Sequence, residues 1–223
     1  MKEQHTKMEL LGSAPIPKAL LALGLPTMAG MLINALYNLV DSYFIGGLGT
    51  AQMGAITVAF PLGQVVVGLG LLFGNGAYLS RLLGRGDRQT ADKVASTALY
   101  GSVFIGAVVI FCSVLFLKPI LRQLGAIESV MPYAVTYTGI YITFSIFNVF
   151  NVTMNNIVSR DGAARTAMMA LMAGAFLNVI LDPVFIYTLH LGIAGAAIVT
   201  AISQMVSTLV YLVYIFRGKS VFH

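Results

Sequence analysis

Asn34-Ala-Leu-Tyr37-Asn38-Leu-Val-Asp41-Ser-Tyr-Phe-Ile-Gly46 closes an apolar stretch that begins near Pro17, and it carries a full carboxylate. Asn34, Asn38 and Asp41 are spaced i, i+4, i+7, so on a helix they form one polar stripe with Tyr37 beside it. An Asp within a membrane span costs about 2.5–3.5 kcal/mol on insertion scales, and such residues usually face a cavity or a bundle interior. The simpler alternative places Asp41 at the helix end, reaching headgroup water. The stripe extends inward from Asp41 for two turns, which favours a functional carboxylate.

The composition carries the same message along the whole chain. Of 223 residues, 58% are hydrophobic and only 9% charged, against about 25% charged in a soluble domain. Spans need about 20 mainly apolar residues, and six are expected, at 17–44, 52–79, 93–117, 132–155, 167–187 and 193–216. The expected class is an all-α, polytopic membrane protein. It divides into a short N-terminal segment (1–16), a six-helix transmembrane lobe (17–217) and the start of a linker (218–223). The polar N-terminus has no apolar core followed by small residues, so it does not read as a signal peptide.

The net charge of +5 does not point to nucleic acid, because its distribution follows the spans. Lys2, Lys7 and Lys18 precede the first span, Arg81, Arg85, Arg88 and Lys93 surround the loop after the second, Arg160 and Arg165 follow the fourth, and Arg217 and Lys219 follow the sixth. Only Lys118 and Arg122 fall on the other side. The positive-inside rule then places both termini in the cytoplasm, and a multi-pass location in the plasma membrane is expected. The single cysteine, Cys112, lies in the third span, and His5, His190 and His223 are scattered. No disulfide framework or clustered metal site is expected from them, and no nucleophile–base set suggests an enzyme.

Taken in order, Pro26 interrupts the first span, where it removes a backbone hydrogen bond and is expected to kink the helix, a possible hinge. The second span is rich in glycines, read as close-packing positions. Gly84-Arg-Gly86 is too short for a phosphate-binding loop. The third span is featureless and expected to be peripheral. The fourth carries Asn148, Asn151 and Asn155 on one face; interhelical amide bonds are the default reading, a cavity lining the sharper one. The fifth holds Asn178 and Asp182 at i, i+4, followed by Pro183, which cannot donate to the carbonyl of Val179. Carboxylate, amide oxygen and spare carbonyl make an oxygen-rich pocket suited to a hard cation. Thr200 in the sixth span is an ordinary helix hydroxyl by default. A short internal repeat accompanies the two acids. Asp41-x-x-Phe44-Ile45, with Gly54-Ala55 thirteen residues after the Asp, matches Asp182-x-x-Phe185-Ile186 with Gly195-Ala196.

These stretches together resemble the N-terminal half of the multidrug and toxic compound extrusion (MATE) transporters. The resemblance is carried by Gly24-Leu-Pro26, Leu36-Tyr37-Asn38-Leu-Val-Asp41-x-x-Phe44-Ile-Gly46, Leu48-Gly49, Gly74-Asn-Gly-Ala-x-x-Ser80-Arg-x-x-Gly84-x-Gly-Asp87, Arg160-Asp-Gly162, Asn178-x-x-x-Asp182-Pro183 and Gly192-x-x-Gly195-Ala-Ala. It implies one six-helix lobe of a two-lobed fold around a central cavity, with H+- or Na+-coupled export of amphipathic, often cationic, drugs by alternating access. It also implies a cation pocket on Asp41, Asn178, Asp182 and Thr200, which would hold Na+ if coupling is to sodium. Asn34, Tyr37, Asn38, Asn151 and Asn155 are then expected to line the substrate cavity, with Pro26 as hinge. No cofactor beyond the coupling ion is expected. The chain ends where the family continues into a second lobe, so the expected partners are such a lobe, covalently linked or supplied by a second copy, the bilayer, and small-molecule substrates. The alternatives are a related flippase for a lipid-linked sugar, which calls for basic residues inside its cavity, and a non-transporting membrane subunit or fragment.

Overall fold

The computed structural model describes residues 16–216, apart from 74–77, 79–80, 83–84, 86 and 160–162. The N-terminal segment (Ile16 excepted), the linker 218–223 and Arg160-Asp-Gly162 of the family pattern lie outside the described residues, as does much of the Gly74–Asp87 stretch. Among the described residues the elements are helices α1 (Ile16–Gly46), α2 (Thr50–Phe73), α3 (Arg88–Leu115), α4 (Leu117–Gln123), α5 (Met131–Thr143), α6 (Ser145–Val158), α7 (Ala164–Pro183) and α8 (Gly192–Phe216), with a π-helical turn at Val184–Thr188 after α7. No strand occurs among them.

Among the described residues, α2, α3, α7 with its π-helical turn, and α8 are long and apolar enough to cross a membrane, and the bent pair α5–α6 counts as a fifth when its two arms are taken as one span. Helix α1 has 31 residues, about 46 Å of helix, longer than the roughly 30 Å hydrocarbon core. The short α4 and its loop are tied by an exposed Arg122–Glu128 pair at 2.6 Å.

The fourth span departs from the single helix expected over 132–155. It bends by 51° between α5 and α6, although no proline stands there. The Thr143 hydroxyl donates to the carbonyl of Gly139 and the Ser145 hydroxyl to that of Ile142, each at 2.7 Å. Between them Phe144 leaves helical geometry, at φ −95° and ψ 2°. Hydroxyls that bond back to helix carbonyls loosen the ladder and bend it.

Helix α8 is the hub. It packs on α7, α5 and α6, and α1 lies along α7. Helix α3 packs on α6 and α2 and exposes Phe104, Val108, Phe111 and Val114, the peripheral apolar face expected of it. Two apolar clusters cap the bundle. The one beside α4 includes Ile45, Ala55, Leu121, Ile186 and Ala196. The other gathers Met154, Val158, Ala167, Ala170 and Tyr211. Both halves of the internal repeat thus enter one cluster: Ile45 and Ala55 from the first, Ile186 and Ala196 from the second. The ends of α1 and α7 are also joined directly, since the Tyr187 hydroxyl donates to the carbonyl of Phe44 at 2.6 Å and the two rings meet edge to face.

Candidate functional site

The polar residues lie between those two clusters. Asp41 comes from the last turns of α1 and Asp182 from the end of α7, and they are 8% and 0% exposed. The two carboxylates are within electrostatic reach of one another, and Tyr37 and Tyr137 feel the field of both. Both oxygens of Asp182 and Oδ1 of Asp41 are buried without a hydrogen-bond partner. A buried charge left without compensation costs several kcal/mol, so two bare carboxylates here call for a proton or a cation.

Asn178, one turn before Asp182 on α7, is 1% exposed and has neither its carbonyl oxygen nor its amide nitrogen bonded. It lines a cavity of about 40 Å3 with Tyr37, Asn151, Thr200, Ser203 and Gln204. A second, smaller hollow of about 10 Å3 reaches Thr200 from the other side, past Tyr141 and Asn148. Thr200 is buried on α8 and borders both. Asn178 and Thr200 thus line one cavity, Asp182 stands one turn beyond Asn178, and Asp41 is within electrostatic reach of Asp182, so the four residues expected to hold a cation are all buried, on α1, α7 and α8. Among the described residues no group of three or more His, Cys, Asp or Glu side chains could hold a metal, so a cation here would take two carboxylates and neutral oxygens, a set that suits a hard ion.

Pro183 does not end the helix. The chain passes from α7 into the π-helical turn, the kind of wide turn that frees a backbone carbonyl and recurs at functional positions.

The asparagines of the fourth span divide. Asn151 is buried and fully engaged: its Nδ2 donates to the carbonyl and to Oε1 of Gln204 at 2.8 and 2.7 Å, and its Oδ1 accepts from the Thr208 hydroxyl at 2.9 Å. Asn155 is half-buried and donates to the Tyr211 hydroxyl at 3.1 Å. Both thus tie α6 to α8, and Asn151 borders the cavity as well. Asn148 is half-buried with an unpartnered Oδ1. Of the expected cavity residues on α1, Tyr37 lines the 40 Å3 cavity and Asn38 is exposed on the outside of the lobe. The side chains of Asn34 and Pro26 lie outside what is described, although both positions fall within α1.

One set of polar residues escaped the sequence reading. Ser203, Gln204, Ser207, Thr208 and Tyr211 form a polar face on α8 that meets α6 and α7. Ser207 donates to the carbonyl of Ala170 at 2.9 Å. The spacing at positions 200, 203, 204, 207, 208 and 211 was a helical signal, muted because hydroxyls are tolerated in apolar spans.

Known proteins share the fold of this lobe. The chain is similar to the multidrug export protein MepA of Staphylococcus aureus (strain NCTC 8325 / PS 47), 33% identical over 211 residues that cover 93% of this chain and 47% of the relative. It is similar to a structure described as the outward-facing conformation of a multidrug resistance MATE family transporter of the MOP superfamily, with TM-score 0.89 and 32% identity over 97% of this chain and 48% of the other. A crystal structure of MATE in the bent conformation superposes with TM-score 0.88, 32% identity, and coverage of 97% and 49%. The chain spans about half the length of the relatives it matches. The MatE family model matches residues 26–184, the stretch that supplies α1 through Asp41 and α7 through Asp182, and this multi-pass membrane protein belongs to the MATE family.

Proposed function

We propose that this lobe serves a multidrug efflux antiporter, in which entry of H+ or Na+ drives export of amphipathic or cationic compounds. The observation that carries the reading is the pair of buried, unpartnered carboxylates, Asp41 and Asp182, on two helices that pack side by side. A ligand moves a conformational equilibrium only through unequal affinity for the two states, and an ion that neutralises such a pair has that property. In alternating access the ion would enter from outside, relieve the repulsion between α1 and α7, and let α1 bend at Pro26. Bending would reshape the stripe of Asn34, Tyr37 and Asn38 and release substrate outward. A relative crystallised in a bent conformation has the same lobe fold, which supports a bending element. Both termini would face the cytoplasm, and a second six-helix lobe would complete the cavity.

The test uses the full-length transporter in lipid vesicles under an imposed H+ or Na+ gradient. Asp41→Asn and Asp182→Asn should insert and fold normally yet lose gradient-driven efflux of an amphipathic cation. Efflux at the wild-type rate from either variant would overturn the reading.

A further inference from the structure

The 40 Å3 cavity does not reach the two carboxylates. It starts at Asn178 and Thr200 and runs towards the start of α7 and the end of α8, past Gly174 and Ser203 to Leu171 and Tyr211. Ser203 is 5% exposed, and its hydroxyl oxygen is buried with no hydrogen-bond partner. A hydroxyl in an apolar span normally bonds a carbonyl of its own helix, as those of Ser102 and Thr143 do here. Ser207, one turn on, bonds the neighbouring helix. Ser203 does neither. The position is also held firmly, because a Cβ added at Gly174 would lie 3.0 Å from the carbonyl oxygen of Ser203. Helices α7 and α8 thus meet closely at this point, which fixes the Ser203 backbone against α7.

We propose that Ser203 is a further ligand of the cation pocket: with Asn178 it forms a neutral, oxygen-bearing inner shelf that takes Na+ or the water on its far side. The inference rests on the coupling function proposed above. The cavity is large enough for a small hydrated ion, since a single water needs roughly 10–15 Å3 of such space. Thr200 and Ser203 stand at i, i+3 on one face of α8, and Asn178 faces them from α7. Hydroxyl and amide oxygens are the donor class that suits Na+ beside carboxylates.

The experiment measures Na+ binding by the full-length transporter in nanodiscs, by calorimetry and by the rise in Tm as Na+ replaces choline. Stabilisation by an ion follows its affinity for the folded state. Ser203→Ala removes an unsatisfied buried hydroxyl, so its Tm in choline should equal or exceed that of the wild type. Its Na+ affinity should fall about tenfold, the usual cost of one charge-assisted contact, and Ser203→Thr should restore it. Unchanged Na+ affinity in Ser203→Ala, with affinity lost in Asp182→Asn, overturns the inference and leaves the coupling function standing. A wild type that binds no Na+ also overturns it, and efflux under an H+ gradient would then preserve the broader function. Loss of folding in Ser203→Ala would equally overturn it, since a structural hydroxyl has partners.

Discussion

Asn151 and Asn178 are the same residue type in equally apolar spans, and they lie in one cavity wall, yet they do opposite things. Asn151 spends its amide on Gln204 and Thr208, whereas Asn178 has no bond at all. Interhelical polar contacts in membranes are worth about 0.6 kcal/mol on average and up to about 1.7 kcal/mol. Asn151→Ala should therefore lower stability by about 1–2 kcal/mol with little effect on ion binding. Asn178→Ala should leave stability nearly unchanged and weaken ion binding, non-additively with Asp182→Ala, because neighbours one turn apart share a ligand. Unfolding titrations in detergent and Na+ calorimetry on both variants check this, and a reversed pattern would discard the division. The sequence could not draw that line. Three asparagines at i, i+3, i+7 look alike until their partners are known, and those partners lie 53–57 positions away.

At the scale of elements, what hydropathy can see was legible: the long apolar helices, their order, and most of their ends. The bend in the fourth span was not, since it comes from two hydroxyls turning back on their own helix at Thr143 and Ser145, not from proline. The polar face of α8 was hidden for a related reason. Its serines and threonines barely lower hydropathy, and their role depends on which helix stands opposite. The repeat around the two aspartates, by contrast, was visible as a short sequence match, and it has a structural counterpart in Ile45 and Ile186, buried in one cluster. Gly195 shows what the second half of that repeat demands. A Cβ there would lie 2.7 Å from the carbonyl oxygen of Phe185, so α8 can approach the π-helical turn only at a residue without a side chain. Gly195→Ala must push these two backbones apart, at a cost of about 1–3 kcal/mol. It should also lower Na+ affinity, because Asp182 sits just before that turn. A variant with wild-type Tm and wild-type ion affinity would mean that the turn is not fixed by α8.

For the whole molecule, the decisive fact is where the polar residues lie. The first, fourth and fifth spans each carry a polar stripe. In the structure those of the fourth and fifth turn largely inward: Asn151, Asn178 and Asp182 are buried within the lobe, Asn155 is bonded to Tyr211, and Asp41 is buried at the end of α1. The lobe therefore keeps most of these groups away from lipid by its own packing, and groups left in hydrocarbon cost several kcal/mol each. What remains outside is α1, with Leu25, Met28, Met31, Leu32 and Leu36 exposed together with Asn38. Lipid can cover such a surface almost as well as protein, because helix association in a bilayer has no hydrophobic driving force. The chain also spans only about half of the relatives it matches. These facts together separate folding from transport. Expressed alone, residues 1–223 should insert, resist protease and retain Na+ or H+ binding at the Asp41–Asp182 pocket, yet export no drug, because a single lobe has one wall of a cavity and nothing to alternate against. Crosslinking in membranes, run alongside efflux measurements, tests both halves of the statement. A monomeric chain that exports an amphipathic cation against its gradient would refute the second half, and a chain that fails to insert would refute the first. Efflux by a crosslinked dimer would instead assign the missing wall to a second copy, with α1 of each lobe facing the other across the cavity.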